Sequence, residues 1–245
     1  REEKDMLKPR LHELCICRPI LEDALIGKFL RFLENPEATS HTYRFIAGLI
    51  EKSEELGLAG NVLRAYFLHV LAHTENTFSR TLEQSDGNIG KSLYNAFVRD
   101  MELLFDIFQE LPSTMLPTDL LDNYTPTKKR TTEMLAFLHE QMKDAASAQD
   151  TANAFLTFYQ RYGCGEISSR KAFSWNEKTH ALQGIQHFEA PPLTDIIGYE
   201  RQKKQLTDNT EAFLKDRPAN NVLLIGARGT GKSSAVKALV HEYHR

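Results

Sequence analysis

The chain has 245 residues, 41% hydrophobic and 26% charged, with a formal charge of −3, the balance of an ordinary globular chain with apolar material for one or two cores. That composition excludes a disordered, collagenous or disulfide-stapled protein, and no apolar run approaches the ~18 residues of a membrane helix. Three cysteines, Cys15, Cys17 and Cys164, are an odd number, which with the absence of a visible secretory signal points to a reducing cytoplasm.

In chain order the first signal is a 3.6-residue apolar period. Leu25, Phe29 and Phe32 mark one helix, ended by Asn35-Pro36, and Phe45, Ile46, Leu49 and Ile50 mark a second. A third is expected from about Asn61 to Leu82, with Leu63, Phe67, Val70, Leu71 and Phe78 inward, and stops at Ser85-Asp86-Gly87-Asn88. The fourth carries Leu93, Phe97, Leu104, Phe108 and Leu111 before Pro112, and two more cover roughly 128–145 and 150–162. After Tyr162-Gly163-Cys164-Gly165 the pattern becomes alternating, and Lys171 to Trp175 with His180 to Gly184 reads as a short hairpin.

A boundary is expected at Ala190-Pro191-Pro192-Leu193, because a Pro-Pro step suits neither helix interior nor central strand. Charge changes there as well: residues 1–193 hold 21 Lys and Arg against 27 Asp and Glu, whereas residues 194–245 hold 9 against 6. The expectation is a mostly α chain, with a multi-helix domain over 1–189 and a second domain over 190–245. The second opens with a helix near Arg201–Leu214, a strand-like run from Asn221 to Ile225, a glycine-rich turn and a helix from Lys232. That order starts an α/β nucleotide-binding unit.

Gly226, Ala227, Arg228, Gly229, Thr230, Gly231, Lys232 and Ser233 fit G-x-x-x-x-G-K-[ST], the P-loop or Walker A pattern. Glycine is needed because backbone N–H groups must close around a polyphosphate without side chains in the way. Lys232 would place its charge between the β- and γ-phosphates, and the Ser233 hydroxyl would be a Mg²⁺ ligand. The start of the following helix adds part of a positive charge.

Taken together, Leu193-Thr194-Asp195-Ile196-Ile197-Gly198-Tyr199-Glu200-Arg201-Gln202, Asn209-Thr210-Glu211, Pro218 to Leu224 and Gly226 to Ser234 resemble a bacterial family of predicted AAA+ P-loop ATPases catalogued as a domain of unknown function. The resemblance is strongest over 193–245. It implies that residues 190–245 begin an AAA+ module, that ATP and Mg²⁺ are the cofactors, and that Ser234 joins the phosphate-binding loop. It also implies adenine contact by Ile197 and Gly198. The resemblance makes the helical domain an adaptor for a protein client, and a homo-oligomer possible in the full-length protein.

Only 12 residues follow Ser233, leaving no room for Walker B, sensor or arginine finger, and Arg1 is not an initiator Met. The chain is therefore expected to be a fragment that hydrolyses no ATP by itself. The alternative is a non-enzymatic interaction module whose P-loop remnant is inert, while a GTPase or small-molecule kinase remains open because base choice is not written in these residues. For the remaining candidates the plain reading is favoured in each case. His69 and His73, four apart, lack the Glu of a zinc-protease helix; Cys15 and Cys17 have their third cysteine 147 positions away; Leu103-Leu104-Phe105-Asp106 is a helical face. Lys128-Lys129-Arg130 is a solvated charge run, and the negative helical domain makes nucleic acid an unlikely partner. Phe173, Trp175 and Tyr162 are expected to fill a small core rather than to dock a partner.

Overall fold

The computed structural model describes residues 11–129, 132–165, 172–177, 180–185 and 188–243. The chain divides into two compact units, residues 1–169 and 170–245. The hairpin thus falls in the second unit, whereas the sequence reading sets its boundary at the Pro-Pro step.

The described part of the first unit is helical. Helix α1 (Ala24–Glu34) starts at Asp23, whose carboxylate accepts the Leu25 and Ile26 N–H groups, and gives way at Asn35-Pro36. Helix α2 (Thr39–Leu56) ends at Gly57, which takes the left-handed conformation at φ 71 that a side chain would resist. Helices α3 (Val62–His73) and α4 (Thr77–Gln84) replace the single helix expected over 61–82. The cause is local: Asn76 accepts the Ser79 N–H while the Ser79 hydroxyl accepts the Asn76 N–H, a reciprocal capping box that opens a new helix after the extended Thr74. Apolar period alone does not register such a break. Helix α5 (Lys91–Gln109) stops before Pro112, and α6 (Glu133–Lys143) and α7 (Ala148–Tyr162) begin at the caps Thr132 and Ser147.

Two aromatic groups fill the core. Phe29 of α1 meets Phe45 of α2 at 5.0 Å and Phe67 of α3 at 5.6 Å between ring centroids. Phe78 of α4 stacks on Phe97 of α5 at 4.1 Å, and Phe97 meets Phe155 of α7 edge-on at 6.3 Å. Each such ring is fully buried and stabilises by about 1.5–3 kcal/mol. The Tyr159 hydroxyl of α7 donates to the Leu71 carbonyl of α3 at 2.8 Å, satisfying a polar group that would otherwise be stranded there.

One buried carboxylate ties the N-terminal segment to this core. Asp100 of α5, 1% exposed, accepts the backbone N–H groups of Cys15 at 3.1 Å, Ile16 at 2.7 Å and Cys17 at 2.6 Å. Three converging donors replace the water that the charge gave up.

In the second unit, β1 (Phe173–Asn176) pairs antiparallel with β2 (Ala181–Gly184), with Phe173 opposite Gly184 and Trp175 opposite Leu182. The expected hairpin forms in part; Lys171 lies outside the described residues. Beyond a 3-10 turn at Leu193–Asp195 come α8 (Glu200–Leu214) and α9 (Lys232–Tyr243). Leu206 of α8 and Ala238 of α9 are buried, the Tyr243 hydroxyl donates to Glu211 at 3.1 Å, and Glu242 accepts the Leu193 N–H at 3.3 Å. Among the described residues Val222 to Ile225 pairs with no strand, and Leu223 and Ile225 are 82% and 86% exposed. The strand expected there is not formed because a β-strand exists by its ladder, and β1 and β2 bond to each other. The described residues are thus mostly helical, with one two-stranded sheet.

Candidate functional site

The glycine-rich loop joins Ile225 to α9. Gly229 and Gly231 take φ values of 84 and 77, the left-handed region open to glycine at little cost. A Cβ on Gly231 would stand 3.7 Å from Ile196 Cγ2, so this end of the loop lies against the turn that precedes α8. Thr230 donates its hydroxyl to the Ala227 carbonyl at 2.9 Å and closes the loop on itself.

Lys232 turns into that loop. Its ammonium donates to the carbonyls of Gly226 at 2.9 Å and Ala227 at 2.6 Å, and to the Thr230 hydroxyl at 3.3 Å. The N–H groups of Gly231, Lys232 and Ser233 meet no acceptor among the described residues, as the first turn of a helix leaves its donors unfilled. A half-buried cation and a set of free donors therefore share one end of α9. Arg228 and Ser233 are exposed, and Ser234 is half-buried on the first turn. The donor set fits a polyphosphate. For Mg²⁺ the fit rests on the Ser233 hydroxyl, since no group of three His, Cys, Asp or Glu among the described residues could hold a metal ion.

Beside the loop lies a cleft of about 140 Å³ lined by Ile196, Tyr199, Lys203, Leu206, Leu224 and Lys232, among others. Its lining surface is mainly apolar, with the Lys203 and Lys232 side chains among the polar contributors. Of the two residues expected to contact a base, Ile197 is 93% exposed, and neither it nor Gly198 lines this cleft. Their neighbours Ile196 and Tyr199 do. Gly198 and Tyr199 are both left-handed, at φ 82 and 57, and Tyr199 reaches the cleft edge while remaining 53% exposed. Lys203, not singled out from the sequence, reaches the Ile196 carbonyl at 2.8 Å. Its only sequence signal is its place one helical turn after Glu200.

Residues 168–245 match the model of a family described as "Protein of unknown function (DUF815)". The matched span takes in the hairpin, α8, the loop and α9, and stops short of α7. No curated protein and no solved structure matches the chain.

The other sequence candidates lie in the helical unit or on the hairpin. His69 and His73 have ring centroids 4.2 Å apart beside a cavity of about 200 Å³ that Asp23, Lys52 and Tyr66 also line. Burial, and then the nearby His73 and Lys52, push the His69 pKa down to about 3, so the ring is neutral. Cys15 is exposed; Cys17 and Cys164 are buried, and burial raises the Cys17 thiol well above its ordinary value and Cys164 to about 12. Leu103 and Leu104 are buried faces of α5. Lys128 and Lys129 are exposed, and Arg130 lies outside the described residues. Tyr162 packs on Phe137 and Phe158 of the helical unit, whereas Trp175 on β1 is 60% exposed rather than part of a core.

Proposed function

We propose that residues 190–245 are the opening of an AAA+-type nucleotide-binding module that takes ATP with Mg²⁺ through Gly226 to Ser234. The supporting observation is the coincidence, at the start of a 12-residue helix, of unfilled N–H donors, two left-handed glycines and the Lys232 ammonium. Lys232 has borrowed the loop's own carbonyls as ligands. A phosphate oxygen is a stronger acceptor for an ammonium than a neutral carbonyl, so the lysine would exchange these partners for the β- and γ-phosphates. Bound Mg²⁺ supplies charge neutralisation between those phosphates, with Ser233 as its protein ligand. The apolar cleft bounded by Ile196, Tyr199 and Leu206 would shelter the base.

In this reading the helical unit is an adaptor that engages a protein client while the nucleotide-binding unit changes state, in a full-length protein able to self-assemble. The rival reading, an interaction module with an inert loop, is favoured by one observation: among the described residues Val222 to Ile225 has no strand partner to brace the loop it feeds. Isothermal titration of Mg-ATP into the chain separates the two. Heat that disappears in Lys232→Ala supports nucleotide binding, and absence of heat in the unsubstituted protein supports the inert module.

A further inference from the structure

The turn between the linker and α8 has an unusual construction. Gly198 and Tyr199 are left-handed in succession, at φ 82 and 57. For a bulky residue such as Tyr199 that conformation is costly and persists where its surroundings overdetermine it. Tyr199 is also the residue before α8 and makes no side-chain cap.

Lys203 bonds to the turn twice, once through its backbone and once through its side chain. Its backbone N–H donates to the Tyr199 carbonyl at 2.9 Å, and its ammonium donates to the Ile196 carbonyl at 2.8 Å. The ammonium also pairs with Glu200 at 2.8 Å, and the Lys203 side chain is only 16% exposed. A lysine at the start of a surface helix can keep its charge in water at no cost. This one is folded inward onto a carbonyl, against the cleft that Ile196 and Tyr199 line. Ile196 in turn abuts Gly231 of the glycine-rich loop.

We propose that Lys203 is a positioning residue: by clamping Ile196 to the first turn of α8 it keeps the half-exposed Tyr199 at the cleft edge and sets the wall of the cleft that receives the nucleotide base. The inference rests on the nucleotide reading above, and predicts that Lys203 acts on the base and not on the phosphates. Without the clamp the turn relaxes, Tyr199 leaves the wall, and the loop keeps its donors.

Titration of the full chain with Mg-ATP and, separately, with magnesium tripolyphosphate distinguishes the two levels. In Lys203→Met the affinity for ATP should fall about tenfold while that for tripolyphosphate stays within about twofold, and Lys203→Arg, which can still donate to the Ile196 carbonyl, should restore most of the loss. A clamp needed only for folding would weaken both ligands together; equal losses, or no loss in either, overturn the proposal. If Lys203→Met fails to fold, Tyr199→Gly keeps the left-handed backbone, removes the ring, and should show the same ATP-selective loss. Wild-type protein that binds tripolyphosphate but holds ATP no more tightly overturns the role of Lys203 and leaves the loop reading standing. Wild-type protein that binds neither overturns both.

Discussion

Replacing Asp100 by Ala removes the acceptor that three N–H groups share, those of Cys15, Ile16 and Cys17. Two of these bonds are short, at 2.7 and 2.6 Å, and the carboxylate is 1% exposed, so water cannot take its place at Cys17. A hydrogen bond to a charged acceptor contributes about 1.5–3 kcal/mol, and a buried donor left empty costs about 1–3 kcal/mol. Cys15 is exposed and would recover water, which leaves a net loss of about 3–5 kcal/mol. For a unit of this size that lowers Tm by roughly 6–20 °C. Asp100→Asn keeps the volume but turns an NH₂ toward donors, and should lose most of the same stability. Urea unfolding followed by far-UV circular dichroism measures the loss. A change below about 1 kcal/mol in Asp100→Ala would refute the view that this carboxylate anchors the N-terminal segment.

Two further outcomes concern the helical unit. His69 has its folded pKa depressed from 6.5 to about 3, so between those values the unfolded chain takes up a proton that the folded one refuses. Its contribution is whole above pH 6.5 and drains away as pH falls toward 3, and His69→Phe should flatten that part of the stability–pH curve; an unchanged slope would contradict the burial of the ring. Thiol labelling of the native protein at neutral pH should modify Cys15 alone, because burial holds Cys17 and Cys164 protonated. Modification of all three thiols at equal rates would show that the core opens far more readily than its packing implies.

Much of this was legible from residue pattern alone, and the exceptions have physical causes. Helices α1, α2, α5 and α7 follow their apolar stripes because each buries one face against its neighbours. The break at Thr74 to Asn76 escaped because it depends on two side chains bonding each other's backbone, which leaves the apolar period undisturbed. Asp100 carries no sequence signal either: its three partners are more than eighty residues away. At the candidate site the loop residues are readable because glycine and lysine spacing directly reflects backbone shape and charge. The cleft is less so. An Ile-Gly step marks the turn but not which of its residues line the cleft, and with Gly198 and Tyr199 left-handed these are Ile196 and Tyr199. Val222 to Ile225 shows the converse case, an apolar run with strand composition that pairs with nothing described.

Amide chemical shifts of the ¹⁵N-labelled chain, recorded while magnesium tripolyphosphate is added, address the loop directly. The account predicts saturable shifts concentrated at Gly229, Gly231, Lys232 and Ser233, abolished by Lys232→Ala, with the helical unit unmoved. Shifts spread over exposed lysines without saturation, or a loop that stays silent at millimolar ligand, would contradict it.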